Sequence, residues 1–247
     1  MIVRERLIKR RRWGEIPQPT VKSGREKSEK YLPRENFYSS PLHFEEENMK
    51  KTKFFEIKNL TKISILSAIS AIIMLFEFPL PFAPSFYELD LSEAVILMGG
   101  FAMGPMAAVC MELLKNVLNF LINGTITAGI GELANFAMGC AFVVPASLLY
   151  KYHKTLKGAI MSLITGTVSL VVVGCIVNYF VMIPAYVTLA NFPLEAILSM
   201  ASKVNGLVTS LETMILFAVA PFNLVKGIVC SIINLLLYKK LSKVLHI

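Results

Sequence analysis

The segment Pro221–Gly227 places an amide and an ammonium group inside an otherwise apolar stretch. Asn223 and Lys226 are three positions apart, so they share one face of a helix. Ionisable side chains inside an apolar span are costly and mark functional sites, and no acid is near in the sequence. We interpret the pair as ligand-binding. In the alternative, Pro221 starts the helix, Lys226 snorkels to the membrane surface and Asn223 caps the helix.

Three further segments combine amide, backbone and aromatic groups: 78–90, 129–136 and the aromatic-flanked Asn178. Carboxamides both donate and accept hydrogen bonds, and glycines let the backbone approach a ligand closely. Together with one ammonium, these groups suit a flat, largely uncharged heteroaromatic ligand with hydroxyl groups. As alternatives, the aromatic residues form a membrane-interface belt and the glycines only form turns.

Other charged residues have structural interpretations. Glu112 and Lys115 are three positions apart and predict an ion pair within the membrane, with a proton relay as the alternative. Four more acids fall near predicted helix ends, where we expect them to reach water: Glu77, Glu93, Glu132 and Glu212. The four cysteines are far apart in apolar runs and predict packing rather than metal binding. We therefore expect no catalytic residues and no metal site.

These residues must be held in place by secondary structure, and the composition indicates that this structure consists of membrane helices. The 247 residues are 55% hydrophobic and 17% charged, against about 45–50% and 25% in soluble domains. Residues 1–62 hold 16 Lys or Arg and 9 Asp or Glu, whereas the remainder is nearly neutral. A basic flank beside an apolar body marks the cytoplasmic side, so we expect contact with the lipid bilayer and none with nucleic acid.

Proline and glycine punctuation predicts six transmembrane helices in an all-α membrane protein. Their approximate ranges are 60–78, 89–100, 105–122, 131–150, 157–183 (ending at Pro184) and 213 or 221 to 237. We predict a surface helix near 194–202. Lysines cluster at the N-terminal flank, in the 151–157 loop and at the C-terminus, which fits both termini being cytoplasmic.

The chain divides into a basic, polar extension over 1–48, expected to be disordered, and a six-helix domain over 49–247. Met49 is a second plausible start, and we hypothesise that the natural protein begins there. The sequence contains no GxxxxGK[ST] loop, HExxH pair or GxSxG elbow. It also shows no convincing internal repeat, so we expect one part of a larger machine rather than an autonomous pump.

The body from about 50 to 247 resembles the riboflavin-specific substrate-capture (S) components of energy-coupling factor (ECF) transporters. The matching pieces are Phe78–Phe82, Leu89–Glu93, Leu114–Asn116, Ala134–Phe136, Asn178–Phe180 with Pro184, and Pro221–Gly227. The resemblance implies a six-helix protein of the prokaryotic cell membrane. Such a protein captures its vitamin from outside and has no ATPase of its own. It joins a transmembrane coupling subunit and two ATP-binding subunits, and releases the vitamin by toppling. Riboflavin is then a transported ligand, and no cofactor is expected.

The resemblance also implies residue roles. The flavin contacts carry over to Asn178, Asn223, Lys226, Gly131, Asn135, Tyr87, Glu88 and Leu89. Glu88 and Glu132 depart from the pattern that we associate with the family. Small residues on the first helix allow close approach of another helix and would form the docking face, namely Ser64, Ser67, Ala68 and Ala71. Packing within the chain explains these small residues equally well.

Two other functions stay open: an S component for a different vitamin, with other loop contacts, and a stand-alone small-molecule facilitator. A membrane enzyme acting on lipid would need clustered acidic or histidine motifs facing one membrane surface. The sequence shows no such cluster, and its three histidines all lie outside the predicted spans.

Overall fold

The computed structural model describes residues 56–84, 87–125 and 129–245. The α-helices within them are α1 (Ile57–Met74), α2 (Ser92–Met103), α3 (Pro105–Asn123), α4 (Ile130–Tyr152), α5 (Leu156–Val177), α6 (Ile183–Thr188), α7 (Leu194–Val204), α8 (Leu211–Met214) and α9 (Ala220–Leu245). Two π-helical segments, Asn178–Met182 and Ile215–Val219, connect α5 to α6 and α8 to α9. Strands β1 (Phe78–Pro79) and β2 (Glu88–Leu89) form a short hairpin. The expectations for 1–48 and Met49 lie outside the described residues.

The predicted all-α membrane class is confirmed. Within the described part of the chain, five helical stretches are long and apolar enough to cross a membrane: Ile57–Met74, Pro105–Asn123, Ile130–Tyr152, Leu156–Thr188 and Leu211–Tyr238. The remaining predicted span is α2, whose 12 residues extend about 18 Å at 1.5 Å per residue. That length is short of the roughly 30 Å hydrocarbon core. The sixth crossing and the cytoplasmic placement of both termini stay predictions.

Helix α2 lies at the centre of the bundle, which explains its length. It packs against α1, α3, α4 and α9, and nine of its twelve residues are buried. A helix that is apolar all round is stable when other helices enclose it. Gly104, at φ 94°, makes the tight turn into α3, and Pro105 follows in the first turn, where its missing N–H is tolerated.

The long helices pack side by side in the order α1, α3, α4, α5 and α9. Their inner faces form one hydrophobic core, which includes Met111, Phe142 and Leu163. Their outer faces expose large apolar side chains such as Ile65 and Ile164. Outward-facing apolar side chains on otherwise self-satisfied helices are what a lipid environment requires.

Prolines mislead the prediction of two helix boundaries for the same physical reason. The fifth span does not end at Pro184 but continues to Thr188. Of the two predicted starts of the sixth span, 213 is close to the observed Leu211 and Pro221 is wrong. In each span a π-helical segment lies just before the proline. Because that segment already interrupts the regular hydrogen-bond ladder, the missing proline N–H no longer ends the helix.

The segment between these two spans forms a small outer layer with its own apolar cluster. The predicted surface helix is confirmed as α7, and its Ile197 and Ala201 are buried one turn apart. They pack with Ile183, Val208 and Met214. Helices α6 and α7 contribute Tyr186, Ile197 and Met200 to the wall of the cavity described next.

Candidate functional site

A cavity of about 700 Å³ opens between the bundle, the hairpin and the outer layer. Of the residues assigned to ligand binding, those that line it are Tyr87, Glu88, Gly131, Asn135, Asn178, Asn223 and Lys226. Segments separated by more than one hundred positions in the sequence therefore meet at one site. The volume falls within the range of about 300–1,000 Å³ typical of small-molecule sites.

Leu89 is the exception, because it does not line the cavity, and its assignment as a flavin contact stays a prediction. Its side chain is 3% exposed and packs with Ala83 and Phe222. The hairpin explains the difference: Glu88 pairs with Pro79 and Leu89 pairs with Phe78. Successive side chains of a strand point to opposite faces, so Glu88 faces the cavity and Leu89 faces the core.

Two buried amides are fixed in place at the cavity wall. The Asn178 Nδ2 atom donates to the Gly174 carbonyl at 2.8 Å, and the Tyr87 hydroxyl donates to Asn178 Oδ1 at 2.7 Å. The Asn223 Nδ2 atom donates to the Val219 carbonyl at 3.1 Å. Burial raises the pKa of Tyr87 above its usual range, so its hydroxyl stays a neutral donor. The two carboxamides are preorganised rather than free to rotate.

Lys226 has an acidic partner that the local sequence does not show. Its Nζ atom lies 2.8 Å from Asp90 Oδ2 and 3.8 Å from Glu93 Oε1. Burial raises the pKa of Asp90, but the ammonium groups of Lys226 and Lys115 outweigh it and hold that pKa well below its usual range. With 6% exposure and a fixed partner, Lys226 is not a snorkelling lysine. The partner was missed because 136 positions separate the two residues.

The ion pair predicted between Glu112 and Lys115 is confirmed at 2.9 Å and is part of a larger network. Lys115 Nζ also lies 2.8 Å from Glu93 Oε1. The expectation that Glu93 reaches water is wrong, because the side chain is 0% exposed. It projects from the enclosed helix α2 toward the two lysines. The network therefore runs from the cavity wall at Asp90 into the bundle.

Further polar and aromatic residues line the cavity, and of these Asn119, Asn123 and Phe192 were not singled out from the sequence. The others are Glu77, Asp90 and Tyr186. Asn119 and Asn123 carry a detectable signal, because two asparagines one turn apart interrupt the apolar pattern of α3. In the structure Asn123 Nδ2 donates to Asn119 Oδ1 at 3.0 Å. The ring of Tyr87 lies 5.4 Å from that of Phe222 at 44°, which adds an aromatic wall.

The four small residues of α1 lie on two different faces. Ser67 and Ala71 are buried within the chain, so they cannot present a docking surface. Ser64 and Ala68 are exposed. Only Ser64 and Ala68 therefore remain available as a docking face for another subunit, and this role stays a prediction.

Replacing Gly174 by alanine is expected to weaken ligand binding about tenfold. A Cβ atom there would lie 2.6 Å from Asn223 Nδ2, and overpacking of this kind costs about 1–3 kcal/mol. The displaced amide would no longer present the same hydrogen-bonding edge. The matched control is Gly206→Ala, since nothing lies within 4 Å of a Cβ at that position. A titration in which both variants bind with unchanged affinity would contradict the assigned role of Asn223.

Comparisons with known proteins place this fold and cavity in a family. The model for the substrate-specific component of ECF transporters matches residues 58–238. The chain is 34% identical to the riboflavin transporter RibU of Staphylococcus aureus, over 79% of this chain and 96% of that protein. It is 32% identical to the riboflavin transporter FmnP of Bacillus subtilis, over 76% and 93%.

A solved structure agrees with these sequence relationships. The S component of a bacterial ECF transporter superposes with a TM-score of 0.59 at 34% identity, covering 76% of this chain and 97% of that one. The matched region contains the whole hairpin, both π segments and every lining residue named above. The chain therefore belongs to the family of substrate-specific components of ECF transporters.

Proposed function

We propose that this protein captures riboflavin at the cell membrane as the S component of an ATP-driven ECF transporter. The observation that carries the proposal is the meeting of Asn178, Asn223 and Lys226 at one buried cavity. These are the residues to which the resemblance assigns flavin contacts. The relatives named as riboflavin transporters support the same ligand.

The chemistry of the cavity suits a flavin. The flavin ring system is flat and ends in an imide edge of alternating C=O and N–H groups, which carboxamides match because each both donates and accepts. The rings of Tyr87, Tyr186 and Phe222 supply apolar surface for the flat ring. Asn119 and Asn123 supply polar groups for the hydroxylated side chain.

The proposed mechanism is binding followed by reorientation with partners. The sequence has no phosphate-binding GxxxxGK[ST] loop, and the family is one of transporter components. We infer that a transmembrane coupling subunit and two ATP-binding subunits supply the energy, and that this chain catalyses no reaction. The exposed small residues Ser64 and Ala68 mark the α1 face as the candidate contact with the coupling subunit.

Uptake of labelled riboflavin into proteoliposomes tests the proposal. With a matching energising module and ATP enclosed in the liposome lumen, we expect uptake that stops when ATP is omitted. Liposomes that hold this chain alone serve as the matched control, and we expect no net uptake from them. ATP-independent flux by the chain alone would instead favour the stand-alone facilitator. Absence of riboflavin uptake, together with ATP-dependent uptake of another labelled vitamin, would favour a different substrate.

A further inference from the structure

The wall of the cavity is acidic. The carboxyl groups that line it belong to Glu77, Glu88, Asp90 and Glu132. Among the described lining residues, Lys226 is the one base, and Asp90 already binds it at 2.8 Å. The neighbouring positions 85–86 and 126–128 are uncharged residues in the sequence. A ligand in the cavity therefore meets an excess of negative charge.

The helix N-termini at the cavity do not offset this charge. An N-terminus carries a partial positive charge that commonly binds phosphate. At α4, the first turn already contains the carboxyl group of Glu132. At α2, the Asp90 carboxyl accepts the Ser92 backbone N–H at 2.9 Å. The protein's own carboxyl groups thus offset the partial positive charge at both helix ends.

Two of the acids face each other across the hairpin. Glu77 directly precedes β1 and Glu88 lies in β2 opposite Pro79, so the two residues are diagonal neighbours on the same face of the hairpin, and both line the cavity. Neighbouring carboxylates of like charge disfavour each other's ionised form. Burial raises the pKa of Glu77 to about 7, and the Glu88 and Asp90 carboxylates add to the shift while Lys226 opposes it.

We propose that the Glu77–Glu88 pair is a charge filter by which the cavity selects the uncharged flavin over its 5′-phosphate. The inference rests on the proposed function, because it concerns how a flavin site discriminates among flavins. The phosphate carries about −1.5 to −2 charges at pH 7. Like charges in a partly desolvated cavity repel strongly and work against the wrong ligand.

Two binding titrations measure the filter. Both flavins fluoresce, so quenching on binding gives a dissociation constant for riboflavin and one for flavin mononucleotide. We expect the phosphate form to bind at least about tenfold more weakly to the unaltered protein, because like-charge contacts exclude the wrong partner. In the double variant Glu77→Gln, Glu88→Gln we expect this ratio to fall about tenfold. The quantity compared is the dissociation constant for flavin mononucleotide divided by that for riboflavin. Loss of a neutral contact would weaken the binding of both flavins alike and would leave this ratio unchanged.

Two groups make the ratio of dissociation constants depend on pH: the Glu77 carboxyl group and the phosphate of the ligand itself. Below about pH 7, Glu77 holds a proton, the cavity loses one negative charge and discrimination falls. The phosphate itself loses charge near its second pKa of about 6, which changes the ratio in the same direction. The single variant Glu77→Gln removes the first contribution and keeps the second. We therefore expect a flatter pH profile between pH 6 and 8 in that variant.

Glu195→Gln is the matched control, because Glu195 is exposed on α7 and does not line the cavity. We expect this variant to keep the ratio of the unaltered protein. Equal affinity of the unaltered protein for both flavins would overturn the filter alone, as would an unchanged ratio in the double variant. Absence of riboflavin binding would refute the proposed function, and the filter with it.

Discussion

Replacing Lys115 by methionine is expected to lower the free energy of unfolding by about 3–5 kcal/mol. The Lys115 Nζ atom lies 2.8 Å from Glu93 Oε1 and 2.9 Å from Glu112 Oε2, and none of the three side chains reaches solvent. Removal of the ammonium leaves the Glu112 carboxyl group buried without its cation, and leaves Glu93 with only the more distant Lys226 ammonium at 3.8 Å. Unfolding in mild detergent, followed by the loss of helical circular dichroism or by thermal aggregation, measures the change.

Two further variants distinguish the effect of removing a buried cation from the effect of removing any lysine. Lys203→Met removes an exposed lysine from α7, and we expect a change within about 0.5 kcal/mol. Glu112→Gln keeps the size of the side chain and reduces the excess of carboxyl groups over ammonium groups in the network, so its cost should be clearly smaller than that of Lys115→Met. A Lys115→Met protein as stable as the Lys203→Met control would show that the network does not stabilise the fold.

Replacing either Asn223 or Lys226 by alanine is expected to weaken riboflavin binding by about 1–3 kcal/mol. This corresponds to roughly a fivefold to 150-fold rise in the dissociation constant. Each side chain is buried at the cavity wall, so its loss leaves polar groups of the bound vitamin without a partner. In Lys226→Ala the Asp90 carboxyl also loses its 2.8 Å partner, and we expect that variant to show the larger effect. Fluorescence titration measures both.

The control for these two variants is Asn234→Ala. Asn234 is a buried asparagine of the same helix α9, where its Nδ2 atom lies 3.4 Å from the Ala94 carbonyl and it does not line the cavity. It therefore reproduces the loss of a buried amide without the loss of a cavity contact. We expect reduced stability but unchanged affinity. Unchanged affinity in both Asn223→Ala and Lys226→Ala would remove these residues from the site.

The sequence supports the class of the fold and the polar half of the site because those signals are local. Asn223 and Lys226 interrupt an apolar run, and the same is true of Asn178. Asn223 and Lys226 are about one helix turn apart, so the spacing alone predicts that they share a helix face. The cost of placing polar groups in a membrane makes such residues informative.

The features that could not be predicted depend on contacts between distant segments or on local backbone geometry that the sequence does not reveal. Asp90 and Lys226 are 136 positions apart, and no periodicity in either segment predicts their pairing. The two π-helical segments also escape sequence rules, because they let the chain continue as a helix through regions where Pro184 and Pro221 predict a boundary. The orientation of Leu89 depends on a two-residue hairpin register, which a proline-rich loop does not reveal.

Direct titration of the detergent-purified protein with riboflavin tests the central claim most simply. Flavins absorb visible light and fluoresce, so the ligand reports its own binding. We expect a yellow preparation, or saturable quenching of added riboflavin fluorescence at a stoichiometry near one flavin per chain. We also expect Asn223→Ala to weaken that quenching. A colourless preparation that does not quench riboflavin fluorescence, while remaining helical and monodisperse, would contradict the assignment of riboflavin to this cavity.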